Sequence, residues 1–347
     1  MRLILNDTTG SIKDNYLQSL LLLYLPCETF SPTENDDKAL HVSVEAHEGV
    51  LTAALQIKVY ERTAALSRSQ QISAERAESI RLQVKLLVGG AFLEAAQELF
   101  GYLPPWGIVT GIRPAKLAAD YLAQFGAEKT KRILCDKYFV FPERAELCIR
   151  TAQNEKRLVA PLLAHPEKKT CSLYISIPFC PSKCRYCSFV SATTPRLLAL
   201  IPEYFEKLLE EITAIAATIH SLGLTLSSVY VGGGTPAVLD ERQIARLLEK
   251  IHSLFDMKDV EFTFEAGRPD CITAEKLKAL GNGGVTRISI NTQTANNEIL
   301  ASVGRKHTFE DYLNCMNLAR KAGISCINTD LIAGLPGESA ESFRDSV

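Results

Sequence analysis

The sequence carries almost no excess charge: 38 basic side chains against 40 acidic ones, over 347 residues, leave a formal net charge of −2. With the two signs interspersed there is no long-range pull toward nucleic acid or anionic lipid, so neither is expected as a partner. Long apolar runs are missing as well. The longest near the start, residues 20–25 closed by Pro26, falls far short of the roughly 20 residues a bilayer-spanning helix needs. It reads as a buried helix face, and no membrane insertion is expected. Residues 1–6 alternate like a short strand and lack the basic, apolar and small-residue regions of a secretory signal, which predicts a cytoplasmic chain. There is no internal repeat and no low-complexity tract. A 46% hydrophobic content excludes disorder and collagen-like repetition, and the length suits two domains.

What is present begins with ten cysteines. In a small secreted domain they would form a disulfide framework, but here they are diluted over a long chain from an expected reducing compartment. Seven stand singly: Cys27, Cys135, Cys148, Cys171, Cys271, Cys315 and Cys326. The other three, Cys180, Cys184 and Cys187, are clustered.

Texture divides the chain near residues 164–170, a polar stretch read as a linker. Before it, residues 39–45 and 50–62 alternate across the turn signal Glu48-Gly49, predicting a β-hairpin. Helical periodicity follows over 73–100, after Pro114, and over 142–157. After the linker, short β-type runs at 173–177, 228–231, 261–264, 287–290 and 325–332 are separated by amphipathic stretches at 201–221, 240–255, 273–280 and 308–322. Strand followed by helix, repeated, predicts a parallel sheet with right-handed crossovers, whose chemistry gathers at the carboxyl ends of the strands. Functional-looking residues do follow each strand at once: 178–187, 232–236, 265–268, 291–293 and 334–337.

The three clustered cysteines have the spacing C-x-x-x-C-x-x-C on the loop leaving the first of these strands. Soft thiolate ligands favour an iron–sulfur cluster or zinc. Three ligands leave a four-iron cubane one short, and an iron without a protein thiolate is open to a small molecule, much as a catalytic zinc keeps an open position. Structural zinc would want a fourth Cys or His, and no second pair follows. Three buried cysteines are the remaining alternative, against which stand the flanking Pro181, Ser182, Lys183 and Arg185. Gly232-Gly233-Gly234-Thr235-Pro236 lacks the Lys-Ser/Thr of a phosphate loop and the G-x-G-x-x-G of a dinucleotide site. It is either a strand-ending turn or a place where a ligand approaches bare backbone. Glu265 ends the third strand, either salt-bridged to Arg268 or facing a ligand ammonium or hydroxyl. Gln293 closes the fourth, and Asp330 stands among the apolar residues of the fifth, where an aspartate is costly to bury without partners. Arg305 belongs either to a carboxylate ligand or to an exposed basic cluster with Lys306 and His307, the histidine being read as a surface residue. Cys271, Cys315 and Cys326 are too irregularly spaced for a second cluster and are read as packing.

Tyr174-Ile175-Ser176-Ile177-Pro178-Phe179-Cys180, running on to Tyr186-Cys187-Ser188-Phe189, resembles the cluster loop of radical S-adenosylmethionine (SAM) enzymes. Within them it is most similar to the oxygen-independent coproporphyrinogen III dehydrogenase family. Residues 106–114 are similar to a segment of that family's HemZ-type branch. The resemblance implies an α/β fold, a partial (β/α)6 barrel with five units visible (171–347), behind a small α+β accessory domain (1–166). A sixth unit is expected in the intact barrel, so the chain is expected to be a fragment ending after the fifth strand. The cofactors implied are a [4Fe-4S] cluster on Cys180, Cys184 and Cys187, and SAM held by Tyr174, Tyr186, Gly233, Gly234, Thr235, Glu265, Gln293, Arg305 and Asp330. The implied reaction is hydrogen abstraction from propionates of coproporphyrinogen III and loss of carbon dioxide to leave vinyl groups, giving protoporphyrinogen IX. A flavodoxin- or ferredoxin-type donor would supply electrons. A haem-binding chaperone on the same scaffold, or a radical SAM enzyme with another substrate, are the alternatives; Ser188-Phe189 stand where the best-known dehydrogenase branch has a further cysteine. No residue is assigned to the tetrapyrrole.

Overall fold

A computed structural model describes residues 1–31, 37–73, 79–110, 113–163 and 169–347. Its contacts divide it into two compact units, Met1–Pro161 and Leu162–Val347. Residues 164–168 of the expected linker lie outside the described residues, as do 74–78 and 111–112 of the segments read at 73–100 and 106–114.

The first unit is a mixed four-stranded sheet in the order β1-β2-β3-β4. β1 (Arg2–Asp7) pairs parallel to β2 (Lys38–His47), and β2, β3 (Val50–Val59) and β4 (Arg62–Gln71) run antiparallel. The expected hairpin forms because Glu48 (φ 48°) and Gly49 (φ 79°) both adopt the left-handed turn that matches strand twist. β4 is a strand that periodicity missed. The run 50–62 does not continue but reverses at Tyr60 (φ 55°) and Glu61, a turn with no Gly or Asn to announce it. Helix α1 (Asp14–Leu21) ends four residues earlier than the apolar run 20–25, whose later residues form turns. α2 (Ile80–Phe100), capped by the Ser79 hydroxyl, starts later than the periodicity from residue 73. It is apolar almost all round and is accordingly buried against β3 and β4. α3 (Pro114–Tyr138) and α4 (Pro142–Leu163) complete the unit, α4 outrunning its expected end at 157.

The second unit is α/β. Its five-stranded sheet has the order β5-β6-β7-β8-β9, every neighbouring pair parallel and every strand beside its sequence neighbour. The strands are β5 (Thr170–Ile177), β6 (Thr225–Gly233), β7 (Glu261–Gly267), β8 (Arg287–Ile290) and β9 (Cys326–Asn328). The crossovers carry α5 (Pro195–Leu198), α6 (Ile201–Ser221), α7 (Glu241–Leu254), α8 (Ala274–Asn282), α9 (Asn297–Ser302) and α10 (Phe309–Lys321), with α11 (Ala340–Ser346) last. The four longer crossover helices match the amphipathic stretches closely. α7 and α10 start at capping boxes, Asp240 with Gln243 and Thr308 with Asp311. β9 is much shorter than the run 325–332. β8 ends at Ile290, so beyond Asn328 the chain finds only one further bridge, Gln293 to Leu331.

A parallel sheet covered on both faces has strands that read as continuous apolar runs. These alternate. Leu173, Ile175, Ile177, Val229, Val231, Phe262, Phe264, Ile288 and Ile290 point to the helices and join their apolar stripes in one core. Fully burying each such side chain contributes about 1.5–3 kcal/mol. The opposite face carries Ser172, Tyr174 and Ser176, exposed, and Ser228, Tyr230, Glu265 and Arg287, half-buried, with hydrogen bonds across strands such as that between Ser228 and Ser172 (2.8 Å). One face is structural; the other is free to meet a polar ligand.

Candidate active site

All five strands end at the same rim, and the loops leaving them meet around a cavity of about 200 Å³. Its walls include Cys180, Cys184, Tyr186, Cys187, Gly233, Gly234, Thr235, Glu265, Gln293, Arg305 and Asp330, so eleven of the twelve residues singled out by sequence are brought together. Tyr174 is the exception. It lies on the polar sheet face, 58% exposed and stacked on Tyr230 with ring centroids 5.7 Å apart, outside the cavity wall. A larger groove of about 780 Å³ between α7 and α8, lined by Glu241, His252, Glu275 and Lys278 among others, shares no residue with the rim.

The cysteine loop is held by a backbone pairing in which the Cys180 amide donates to Ala192 (3.0 Å) and the Ala192 amide to Pro178 (2.8 Å). The Cys187 amide closes a turn on Cys184 (3.1 Å), and the Arg185 amide reaches Val303 (3.0 Å). Cys180 and Cys184 are buried and Cys187 half-buried. The buried Thr235 hydroxyl lies 2.9 Å from the Cys180 sulfur and 2.8 Å from the Gly234 carbonyl, with one hydrogen to give to either. Burial pushes the Cys180 thiol up, against the Thr235 hydrogen bond and the positive charge of Arg268, which pull it down.

The glycines at the end of β6 are required by space. A Cβ on Gly234 would stand 2.5 Å from the Phe179 carbonyl oxygen, and one on Gly233, whose φ is 111°, 2.8 Å from the Ser176 hydroxyl. A Cβ on Gly232 would meet Tyr230, Glu265 and the Tyr174 hydroxyl. The Glu265 carboxylate accepts from the Tyr230 hydroxyl at 2.5 Å. Burial first, and then that hydrogen bond to Glu265, push the Tyr230 phenol well above its ordinary range. The salt bridge weighed between Glu265 and Arg268 does not form: Arg268 pairs with Asp270 (3.0 Å) and leaves Glu265 on the cavity.

Gln293 sits at φ 74°, a left-handed conformation costly for a residue with a side chain, and two neighbouring strand ends hold it there. Its amide donates to the Asp330 carbonyl and its carbonyl accepts from Ile332, both at 3.0 Å. Asp330 is placed in turn by Asn291, whose side chain accepts its amide at 3.2 Å, and by Asn328, which donates to its carboxylate at 3.0 Å. Arg305 is buried, which sets aside the exposed basic cluster. Its Nε donates to the Tyr186 hydroxyl (3.1 Å) and its Nη atoms to the carbonyls of Gly267 (3.5 Å) and Asn291 (3.3 Å). Burial pushes the Tyr186 phenol up to about 12, although the Arg305 charge opposes it.

His307 corrects the sequence reading: it is 4% exposed, not a surface residue. Burial, with the charge of Arg305, pushes it down to about 4, so its ring is neutral at ordinary pH. Of the three cysteines read as packing, Cys315 is buried, Cys271 half-buried and Cys326 exposed on the edge strand. Arg268 is the rim residue that sequence reasoning undervalued; its signal was its place directly after β7, in Arg268-Pro269-Asp270.

Among the described residues no three His, Cys, Asp or Glu side chains converge as a single-ion site requires. That geometry does not suit structural zinc. The three cysteines stand on one loop around a common cavity, an arrangement in which each thiolate can serve a different iron of one cubane. The donor chemistry, the bare backbone of the glycines and the buried Ser182 hydroxyl without a partner fit a cluster and an adjoining polar ligand. No helix among the described residues is long and apolar enough to cross a membrane.

The profile of the Radical SAM superfamily matches residues 174–347. The chain is 36% identical over 268 residues to the oxygen-independent coproporphyrinogen-III oxidase-like protein HemZ of Bacillus subtilis, covering 76% of this chain and 53% of that one. It is 36% identical over 181 residues to the heme chaperone HemW of Lactococcus lactis, covering 52% and 45%. To the oxygen-independent coproporphyrinogen III oxidase of Cereibacter sphaeroides it is 30% identical over 177 residues, covering 51% and 38%. The chain thus spans about half the length, or less, of these curated relatives.

Proposed function

The chain belongs to the radical SAM superfamily, whose members use a [4Fe-4S] cluster and SAM, and from that premise we propose that it is a coproporphyrinogen III dehydrogenase-like oxidoreductase. It would convert propionates of coproporphyrinogen III to vinyl groups, giving protoporphyrinogen IX. The observation that carries the reading is the convergence of three loop cysteines with the cofactor-type residues of four further strand ends on one cavity.

When bound, the cofactor pair supplies one-electron cleavage of a sulfonium and hence hydrogen-atom abstraction. Cys180, Cys184 and Cys187 would hold the cluster. The bare backbone of Gly233 and Gly234 lets the amino-acid end of SAM approach, and Glu265, fixed by Tyr230, offers a carboxylate to its ammonium. Buried Arg305 would offer a guanidinium to the SAM carboxylate, and its hydrogen bond to the Tyr186 hydroxyl orients that ring for the adenine. Asp330 and Gln293, locked to each other, present polar groups to the ribose. A flavodoxin- or ferredoxin-type protein would deliver electrons.

The choice of a dehydrogenase rests on the extent of likeness. The 268 residues aligned with the HemZ protein exceed the 186 of the second unit (162 to 347), so that likeness reaches into the first unit. The likeness to the HemW chaperone has the same identity over 181 residues, and supports a second reading, haem binding without turnover. Anaerobic reconstitution separates the two. About four irons per chain and 5'-deoxyadenosine released from SAM support the radical site. Vinyl product from coproporphyrinogen III then supports the dehydrogenase, and stoichiometric haem binding without product supports the chaperone. No iron-dependent chromophore would sink both.

A further inference from the structure

Arg268 stands directly past the end of β7 and is 3% exposed. A guanidinium buried this far needs a counter-charge and acceptors for its fixed fork of donors. Nε and Nη2 grip the two carboxylate oxygens of Asp270 at 3.1 and 3.0 Å. The 3-10 turn Pro269–Cys271 brings that carboxylate back under the guanidinium. Nη1 points the other way, to the Ser182 carbonyl at 3.2 Å and to the Cys184 sulfur at 3.6 Å. One side chain from the third strand of the sheet therefore braces the cysteine loop and places an N–H on one of its thiols. His307 closes the far side, Nδ1 lying 3.9 Å from Asp270. Being neutral, it takes none of the Asp270 charge away from Arg268.

We infer that Arg268 is a positioning residue that sets the reduction potential of the [4Fe-4S] cluster through its N–H to the Cys184 thiolate, with Asp270 limiting how much of its charge the cluster feels. The inference rests on the reading of Cys184 as a cluster ligand. A hydrogen bond to a ligating sulfur and a positive charge nearby both favour the state that holds one more electron. The bidentate pair with Asp270 is close to neutral as a whole. The cluster therefore meets a short dipole with its positive end at the sulfur. Removing the two halves of this pair shifts the potential in opposite directions. Arg268→Met deletes the donor and leaves the Asp270 charge uncompensated, which lowers the midpoint potential. Asp270→Asn keeps an acceptor for the fork and frees the guanidinium charge, which raises it. A pair needed only for folding gives no such reversal of sign.

The test is anaerobic reconstitution of the full chain as wild type, R268M and D270N, with iron content, far-UV circular dichroism and midpoint potentials followed by electron paramagnetic resonance. The expected result is about four irons per chain in each, with R268M below and D270N above the wild type. A variant that retains its iron and shifts the other way, or not at all, overturns the inference. Should R268M lose its fold or its iron, D270N decides alone: a rise supports the inference, and no shift or a fall overturns it. If neither variant takes up iron, the pair is a brace and the tuning role falls. A wild type without a four-iron cluster overturns the cluster reading itself, and is recognised by a missing chromophore before any potential is read.

Discussion

β2, β3 and β4 of the first unit reverse direction at two-residue turns, whereas β5 to β9 of the second all run the same way. Both sheets bury alternate residues against helices. They differ in where their loops go. Antiparallel strands send successive loops to opposite rims, so residues next in sequence cannot gather. Parallel strands return each chain end to one rim, and there residues as far apart as Cys180 and Asp330 line one cavity. Alternation alone makes a sheet; alternation with parallel crossovers makes a site.

Four pairs of variants put this contrast to the test, the largest effect first. Cys184→Ala removes one of the proposed cluster ligands, and since even outer-shell partners of a metal site are worth about tenfold, iron content and visible absorbance should drop by more than that. Cys148→Ala, in the core of the first unit, should keep its iron and cost about 1–2 kcal/mol of stability. Iron surviving the first change, or lost in the second, breaks the comparison.

Gly234→Ala and Gly107→Ala form the second pair, read by thermal melts and by equilibrium SAM binding. The added methyl stands 2.5 Å from the Phe179 carbonyl in one case and 2.1 Å from the Tyr138 carbonyl in the other, where φ is also 53°. Each should destabilise by about 1–3 kcal/mol, but SAM affinity should fall only for Gly234→Ala.

The third pair concerns acid. His307 has a folded value of about 4 against an ordinary 6.5, so between those values the unfolded chain binds more protons. Its contribution is fully present above pH 6.5 and is lost as pH falls toward 4, on the order of a few kcal/mol. Asp7 in the first unit is held below its ordinary 3.8: burial opposes this, but hydrogen bonds from Thr9, Ser11 and Ile12 outweigh it. Its contribution survives to lower pH and is lost only as pH falls through the carboxylate range. The slope of urea midpoint against pH should flatten between 6.5 and 4 for His307→Gln, whereas Asp7→Asn should lower the midpoint there and keep the wild-type slope.

The smallest effect is Tyr230→Phe, which deletes the hydroxyl on Glu265 and should weaken SAM binding by about 1.5 kcal/mol, roughly tenfold. Tyr121→Phe, which loses a hydroxyl pair with Tyr138 at 3.0 Å, should leave SAM binding alone. Equal losses in isothermal titration would deny Glu265 its role.

Much of the second unit was legible because its signals are local. A strand with one apolar face repeats every two residues, a surface helix repeats every 3.6, and a ligand loop follows its strand directly. β8 and α6 fall on the expected bounds for that reason. β4 was missed because Tyr60 and Glu61 carry no turn chemistry, and β9 was overread because a strand needs a partner as well as a propensity. His307 misled because a histidine among charged residues looks solvated until the rim closes over it.

The sequence by itself determined the kind of sheet, the cluster of three cysteines on one loop and the strand-end loops that meet at the cavity, since each is a pattern within a few residues. Only the tertiary structure decided that Arg268, with Glu265 three residues before it and Asp270 two after, takes Asp270 and the Cys184 thiol and leaves Glu265 on the cavity with Tyr230. It alone placed Tyr174 on the open sheet face outside the cavity wall. A hydrogen bond depends on directions and distances across strands 35 to 86 residues apart in sequence. No local periodicity contains them.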